Sequence, residues 1–217
     1  MNSIKWTGES RYRVQSDLLP IGHEGIRAQQ NPNAFQMFDK FFQENEFDFV
    51  IEIGTSYGGF ALYLYEQSLQ HDFNFITYDY LGFRDGMWKK RQNELRNVWG
   101  GNLKFDFRDK DVFLDDTIKE ISTILQNNKC LLLCDGGDKP REIQIYSEYL
   151  QPGSYIMGHD YSPSEEYFYE HHQKQVWNWL ELMDSDVVKT MEQYGLTKSS
   201  EYYQGFCDVV WLCLIKE

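Results

Sequence analysis

The stretch FDFVIEIGTSYGGFAL, residues 47–62, decides the fold predicted for this chain. Its first seven residues form a short apolar run with three β-branched side chains, which is typical of a buried strand. Gly54, Gly58 and Gly59 follow, and the apolar periodicity of Tyr57 to Leu69 predicts a helix. A glycine turn between a strand and a helix lets a ligand approach the backbone and the positive end of the helix dipole. The stretch therefore predicts a nucleotide-type site at the carboxyl end of a parallel sheet.

The spacing of the glycines indicates which nucleotide is bound. The dinucleotide fingerprint G-x-G-x-x-G needs a glycine where Ser56 stands. Glu52, Gly54 and Gly58 form an acid-x-Gly-x-x-x-Gly pattern instead, which resembles the first motif of class I S-adenosylmethionine-dependent methyltransferases. The resemblance implies that the turn holds S-adenosyl-L-methionine, with the Glu52 carboxylate near the methionine ammonium group. The alternative is a structural turn in which Glu52 is a solvated acid at the strand end.

Composition limits the size of the protein and its partners. A chain of 217 residues is long enough for one sizeable core and short for two. A formal net charge of −13 disfavours a surface that binds nucleic acid non-specifically, and it favours a small neutral or cationic acceptor. The four cysteines lie in apolar runs without metal-ligand spacing, which predicts reduced thiols in a cytoplasmic protein. We predict no membrane partner, because no apolar run approaches the length of a membrane span.

Strand-like and helix-like segments alternate through the rest of the chain. The fold class predicted is α/β: a Rossmann-like doubly wound sheet, mostly parallel with an antiparallel last strand, in three α/β/α layers. Residues 1–30 are predicted to be an N-terminal extension, either a lid over the cleft or a disordered tail. Residues 31–217 are predicted to form a single domain. Its last part is expected to be a closing hairpin of Tyr202–Gln204 and Asp208–Ile215 around a turn at Gly205.

Asp79 ends the second predicted strand, Asn74–Tyr78. In a Rossmann-like unit an acid at this place hydrogen-bonds the two ribose hydroxyls, and a simple turn acid is the alternative. Methyltransferases of this type often meet the adenine ring after the third strand, which implies a contact with Asp111. The predicted cofactor-binding residues are Glu52, Gly54, Thr55, Ser56, Gly58, Asp79, Asp111 and Asp135.

Two further strand ends carry polar side chains. Asp135-Gly136-Gly137 follows the fourth predicted strand and His159-Asp160-Tyr161 follows the fifth. Together with Gly25-Ile26 and Gln30-Asn31-Pro32, they are similar to the cephalosporin hydroxylase and rhamnosyl O-methyltransferase-like family. The resemblance extends from Gly25 to Glu217 and implies O-methylation of a small-molecule or sugar hydroxyl.

Because neighbouring parallel strands end side by side, we expect Asp135, His159 and Asp160 to share one cleft and to be the catalytic residues. Metal-dependent relatives bind Mg²⁺ at such strand ends, and the resemblance implies a metal site on the same three residues. His159 stands where a carboxylate is usual, and that donor set suits Mn²⁺ or Fe²⁺ somewhat better than Mg²⁺. His159 is also the predicted general base, because Asp138 occupies the base position of the relatives. The alternative is a hydrogen-bonded turn that orders the following loop.

Two other function classes stay open. A non-catalytic protein with the same fold would bind the cofactor or a partner without transferring a methyl group. A nucleic-acid methyltransferase is disfavoured by the charge and by the absence of the Asn/Asp-Pro-Pro-aromatic motif of amine-directed enzymes. A homo-oligomer is compatible with the sequence.

Overall fold

The computed structural model describes residues 28–31, 33–56, 58–80, 106–173 and 180–217. Seven strands of these residues form one sheet: β1 (Phe49–Ile53), β2 (Asn74–Asp79), β3 (Asp106–Asp109), β4 (Cys130–Cys134), β5 (Tyr155–His159), β6 (Leu196–Lys198) and β7 (Trp211–Lys216). The α-helices are α1 (Ala34–Glu44), α2 (Gly59–His71), α3 (Asp115–Asn127), α4 (Lys139–Tyr146), α5 (Glu165–Tyr167), α6 (Asp184–Tyr194) and α7 (Tyr203–Cys207). A 3₁₀ turn follows α4 at Ser147–Tyr149, and a π-helical turn follows α5 at Phe168–His172.

The strand order is β3-β2-β1-β4-β5-β7-β6. Strands β1 to β5 pair in parallel, and β7 runs antiparallel to both β5 and β6. This arrangement confirms the predicted doubly wound sheet with an antiparallel last strand. The direction of winding reverses between β1 and β4, and open α/β sheets bind their ligands outside the carboxyl ends of the strands at such a point.

Alternating side chains of the strands build a core on each face of the sheet. One core is largely aromatic and joins α1, α2 and α7 to the sheet through Phe38, Phe60 and Phe206. The other is largely aliphatic and joins α3, α4 and α6. Phe38 packs edge-on against Trp211 of β7, with ring centroids 5.5 Å apart. Fully burying one such side chain contributes about 1.5–3 kcal/mol, so the aromatic stripe fixes α1 beneath the sheet.

The predicted closing hairpin is wrong. Its first arm is helix α7, and β7 pairs with β5 and with the short strand β6. The backbone N–H of Tyr202 donates to Ser199 Oγ at 3.3 Å, which starts a helical turn before the glycine. A Cβ on Gly205 would lie 2.4 Å from Met37 Cε, so this glycine allows α7 to approach α1 rather than making a hairpin turn.

Other predicted segments differ in their bounds. The spacing of Met183 and Val187 predicts a helical region from Ser164 to Gly195. The structure has α5, a π-helical turn and α6 in this region, and Leu182 forms a parallel bridge with Tyr161. The alternation of apolar side chains predicts a third strand over Asn102–Phe107. The structure describes this strand as Asp106–Asp109. The residues from Leu81 to Trp99 predict a basic, amphipathic helix, and Trp177 and Trp179 are predicted to pack in the core. These residues and most of the predicted N-terminal extension lie outside the described ranges.

Within the described ranges, every helix is too short or too polar to cross a lipid bilayer.

Candidate active site

The turn after β1 brings three strand ends together. Gly54 has a φ of +99°, and its N–H donates to the carbonyl of Tyr78 at the end of β2, at 2.8 Å. A Cβ on Gly54 would lie 2.1 Å from the backbone oxygen of Asp135, which follows β4. Only glycine combines this backbone conformation with this close approach. The ends of β1, β2 and β4 therefore meet around Gly54.

Asp79 holds the turn in shape. The backbone N–H of Ser56, which has a φ of +47°, donates to Asp79 Oδ2 at 2.8 Å. Gly58, with a φ of +81°, is the N-cap of α2 and directs that helix away from the turn. Asp79 is half-buried, and its predicted contact with the ribose hydroxyls stays a prediction.

Glu52 and Thr55 lie beneath this turn. Glu52 is 1% exposed, and its carboxylate accepts a hydrogen bond from the hydroxyl of Thr77. Thr55 Oγ1 lies 2.6 Å from Thr77 Oγ1. Burial raises the pKa of Glu52 well above its ordinary value, although the bond from Thr77 opposes the rise. The geometry makes Glu52 a support of the strand end, and its contact with a methionine ammonium group stays a prediction.

Asp111 is placed beside the end of β2. The N–H of Lys110 donates to the carbonyl of Asp79 at 3.1 Å, which ties the segment after β3 to that strand end. Asp111 is half-buried, and its Oδ1 accepts from the N–H of Phe113 at 2.9 Å. Its predicted place near an adenine ring is compatible with this position and stays a prediction.

Asp135, His159 and Asp160 come together at the ends of β4 and β5. His159 Nδ1 lies 2.9 Å from Asp135 Oδ1 and 3.6 Å from Asp160 Oδ1. His159 and Asp160 are 2% and 7% exposed, and Asp135 is half-buried. Asp160 has a φ of +56°, a conformation that Asp and Asn tolerate better than most residues. The predicted catalytic residues therefore form one cluster beside the Gly54 turn.

His159 is poorly placed to act as a base on a substrate in this arrangement. Its ring is tilted against the ring of Trp211, with centroids 4.6 Å apart. Burial lowers its pKa, but Asp135 and Asp160 together raise it above the ordinary value. A raised pKa favours an imidazolium that pairs with Asp135 over a free proton acceptor. The role of His159 as general base stays a prediction.

Two residues that the sequence reasoning did not assign to the site complete it. Gln30 Nε2 donates to Asp135 Oδ2 at 3.1 Å, and Gln30 Oε1 accepts from the indole N–H of Trp211 at 2.8 Å. Lys139, the first residue of α4, points its ammonium group toward Asp135 and Asp160. The position of Lys139 in the sequence could have indicated a role in the site. It stands four residues after Asp135, one residue beyond the position where the relatives carry their general base.

The three predicted metal ligands fit a cation only in part. One donor atom from each of Asp135, His159 and Asp160 lies within 4.8 Å of the others. Neighbouring ligands of an octahedral ion with bonds of about 2.1 Å lie roughly 3 Å apart. The 2.9 Å between His159 Nδ1 and Asp135 Oδ1 is close to that separation, so the spacing alone allows a cation. The ammonium of Lys139 lies 3.1 Å from Asp160 Oδ2 and 3.9 Å from Asp135 Oδ1. A positive charge of the protein thus already stands between the two carboxylates.

Glu142 supports the loop after β4 through hydrogen bonds to its backbone. Its two oxygens accept from the N–H groups of Gly136 and Asp138, each at 3.4 Å, and it is completely buried. Burial raises the pKa of Glu142 to about 7, and Lys139 and the two N–H groups oppose the rise. The folded chain therefore keeps a proton on Glu142 at pH values where the unfolded chain has lost it.

We expect this proton to make stability depend on pH. Between the unfolded pKa of about 4.5 and the folded pKa of about 7, the contribution of Glu142 to the unfolding free energy falls as pH rises, by up to about 3 kcal/mol. Urea unfolding of wild type and Glu142→Gln across this range measures it: the difference between them should shrink with rising pH. The exposed variant Glu148→Gln is the control and should follow wild type. Parallel curves for wild type and Glu142→Gln would contradict the assignment.

Comparison with known proteins supports the fold. No protein-family model matches the sequence, and no curated protein matches it. Among solved structures, the chain is similar to a candidate caffeoyl-CoA O-methyltransferase from Staphylococcus aureus, with 13% identity, a TM-score of 0.61, and coverage of 98% of this chain and 93% of that one. It is also similar to a structure of CmcI with Mg and S-adenosylmethionine. The identity is 13%, the TM-score is 0.60, and the alignment covers 93% of this chain and 78% of that one.

A third similar structure is the methyltransferase PaMTH1 from Podospora anserina with bound S-adenosylhomocysteine. Its identity is 9%, its TM-score is 0.52, and the alignment covers 99% of this chain and 90% of that one. Identities this low establish a common fold rather than a common activity. The fold of this chain is that of class I S-adenosylmethionine-dependent methyltransferases, as the sequence motifs predicted.

Proposed function

We propose that this protein is an S-adenosylmethionine-dependent methyltransferase that acts on a hydroxyl group of a small molecule or sugar. The observation that carries the proposal is the convergence of the Gly54 turn, Asp79 and Asp135 at the reversal point of a doubly wound sheet. The structures with the same fold that contain S-adenosylmethionine or S-adenosylhomocysteine support it.

The cofactor would lie along the carboxyl ends of β1 and β2. The methionine end would lie against the turn between Gly54 and Gly58, which contains Thr55 and Ser56. Asp79 would accept hydrogen bonds from the ribose hydroxyls, and Asp111 would lie near the adenine. The acceptor hydroxyl would face Asp135, His159 and Asp160. Such a site contributes chiefly by alignment of the hydroxyl with the sulfonium methyl, an effect that reaches effective molarities on the order of 10⁵ M or more.

The ribose contact provides the test of cofactor binding. Replacing Asp79 by Asn keeps an acceptor for the Ser56 N–H but removes the charge, so the affinity for S-adenosylhomocysteine should fall about 10- to 100-fold. Titration calorimetry measures this change. Asp72→Asn, an exposed residue at the opposite end of β2, is the matched control and should bind like wild type. Wild-type protein without measurable affinity for S-adenosylhomocysteine would overturn the proposal.

A non-catalytic cofactor-binding protein is the second candidate. The burial of His159 favours it, because a buried ring is poorly placed to take a proton from an acceptor. Incubation with labelled S-adenosylmethionine and a panel of hydroxylated acceptors distinguishes the two. Transfer to any acceptor supports the enzyme, and binding without transfer across the panel supports the alternative. Salt-sensitive binding to DNA or RNA in the same assay would instead indicate a nucleic-acid substrate, which the net charge of −13 disfavours.

A further inference from the structure

The ammonium group of Lys139 is surrounded by oxygen atoms. Besides its contacts with Asp160 and Asp135, it donates to Glu181 Oε2 at 2.5 Å and to the carbonyl of Gly136 at 3.1 Å. Lys139 is 3% exposed, although lysine is almost never buried without compensation. Its charge is therefore held by three carboxylates and a carbonyl rather than by water.

The start of α4 holds this lysine in place. Lys139 is the first residue of the helix, and Asp138 is the N-cap, with its side chain accepting from the N–H of Arg141 at 3.3 Å. Pro140 follows at a position that favours helix initiation. The segment that supplies Glu181 is fixed to the same strand end, since the N–H of Glu181 donates to the carbonyl of Asp160 at 3.1 Å. The loops after β4 and β5 thus both close around one ammonium group.

We infer that the Lys139 ammonium is the resident cation of the acceptor site, in the place that a divalent metal would otherwise take. A metal ion between Asp135 and Asp160 would lie within a few ångströms of this ammonium, and like charges so close in a buried site repel strongly. The lysine takes over part of the role that a metal has elsewhere. Its single positive charge offsets part of the negative charge of the two acids, and it offers a fixed positive charge to an acceptor oxygen as its proton leaves. The assignment of the cation rests on geometry, and its role toward an acceptor rests on the proposed function.

Manganese binding tests the inference without an acceptor. Electron paramagnetic resonance of Mn²⁺ titrated into the full-length protein should show weak or no binding by wild type. Lys139→Met keeps the length of the side chain and removes the charge, so it should bind Mn²⁺ at least about tenfold more tightly. Adding Asp160→Asn to this variant should abolish the gain. Lys198→Met is the matched control, because Lys198 pairs with Asp184 at 2.6 Å on another part of the surface, and it should gain nothing.

Several outcomes would overturn the inference. Wild type that binds Mn²⁺ as tightly as Lys139→Met would show that the lysine does not compete with a metal. A gain that survives Asp160→Asn would place the ion elsewhere. If Lys139→Met does not fold, Lys139→Arg and the wild type test the inference instead, and both should bind Mn²⁺ weakly. A chelator should then leave the affinity for S-adenosylhomocysteine and any methyl transfer unchanged. Transfer lost with chelator and restored by Mn²⁺ would refute it. Failure of S-adenosylhomocysteine binding would refute the proposed function alone.

Discussion

Replacing Gly54 by Ala should destabilise the fold and abolish binding of S-adenosylhomocysteine. A Cβ at this position would lie 2.1 Å from the carbonyl oxygen of Asp135 and 2.8 Å from the nitrogen of Gly136, both of them backbone atoms that cannot rotate away. The φ of +99° adds a conformational cost for any residue with a side chain. Strain and overpacking cost about 1–3 kcal/mol each, which lowers the melting temperature of a chain of this size by more than about 5 °C.

Gly137→Ala is the matched control. It lies two residues after Asp135, and a Cβ there has nothing within 4 Å. Thermal unfolding followed by circular dichroism, together with calorimetry of S-adenosylhomocysteine, should therefore separate the two variants: Gly137→Ala should resemble wild type in both measurements. A Gly54→Ala protein with wild-type stability and affinity would show that the ends of β1 and β4 do not meet as described.

Replacing Asp160 by Asn should remove methyl transfer and leave cofactor affinity nearly unchanged. Asn tolerates the φ of +56° and keeps the shape of the side chain, so the variant removes mainly the charge that faces Lys139. The ammonium would then move toward Asp135 and Glu181 and away from its position beside the proposed acceptor. We expect transfer from labelled S-adenosylmethionine to fall about 100-fold or more, the size of effect seen when one preorganised electrostatic contact is lost.

The affinity of Asp160→Asn for S-adenosylhomocysteine should stay within about threefold of wild type, because the Asp160 carboxylate contacts Lys139 of α4 and His159 of β5, which lie outside the Gly54 turn. Asp138→Asn is the control. It is an exposed acid near the cluster, and Asn is an equally good N-cap for α4. It should transfer and bind like wild type. A fully active Asp160→Asn enzyme would contradict the role given to this carboxylate.

The fold was predictable because its central strands are short, apolar and bounded by clear turn signals. β4 is five apolar residues that end directly at Asp135, and β5 ends at His159 in the same way. Because neighbouring parallel strands end side by side, these two strand ends alone predict that the polar residues at them lie close together. The position of Gly54 followed from its place between a strand and a helix. These predictions needed only local patterns and the geometry of a parallel sheet.

The rest depended on contacts between distant parts of the chain. Helix α7 forms where a strand was predicted because its aromatic side chains pack on α1, more than 150 residues away in sequence, as in the 4.8 Å contact between Phe206 and Phe38. A long lysine side chain can point to solvent or inward, and the sequence does not show which oxygen atoms will surround its ammonium group. The burial of Glu52 could not be predicted from the sequence either, because a buried carboxylate needs a partner, and that partner is Thr77 on the neighbouring strand.

The bridge made by Gln30 has a consequence for biosynthesis. Asp135 is oriented by an amide that is itself held by the indole of Trp211, a contact spanning 181 positions of the chain. A nascent polypeptide that has emerged from the ribosome as far as Asp160, directly after β5, already contains Gly54, Asp79, Asp135 and His159. It lacks the strand against which Gln30 and the ring of His159 rest. The site should therefore be completed late in synthesis and in one step, when the segment carrying Trp211 inserts beside β5.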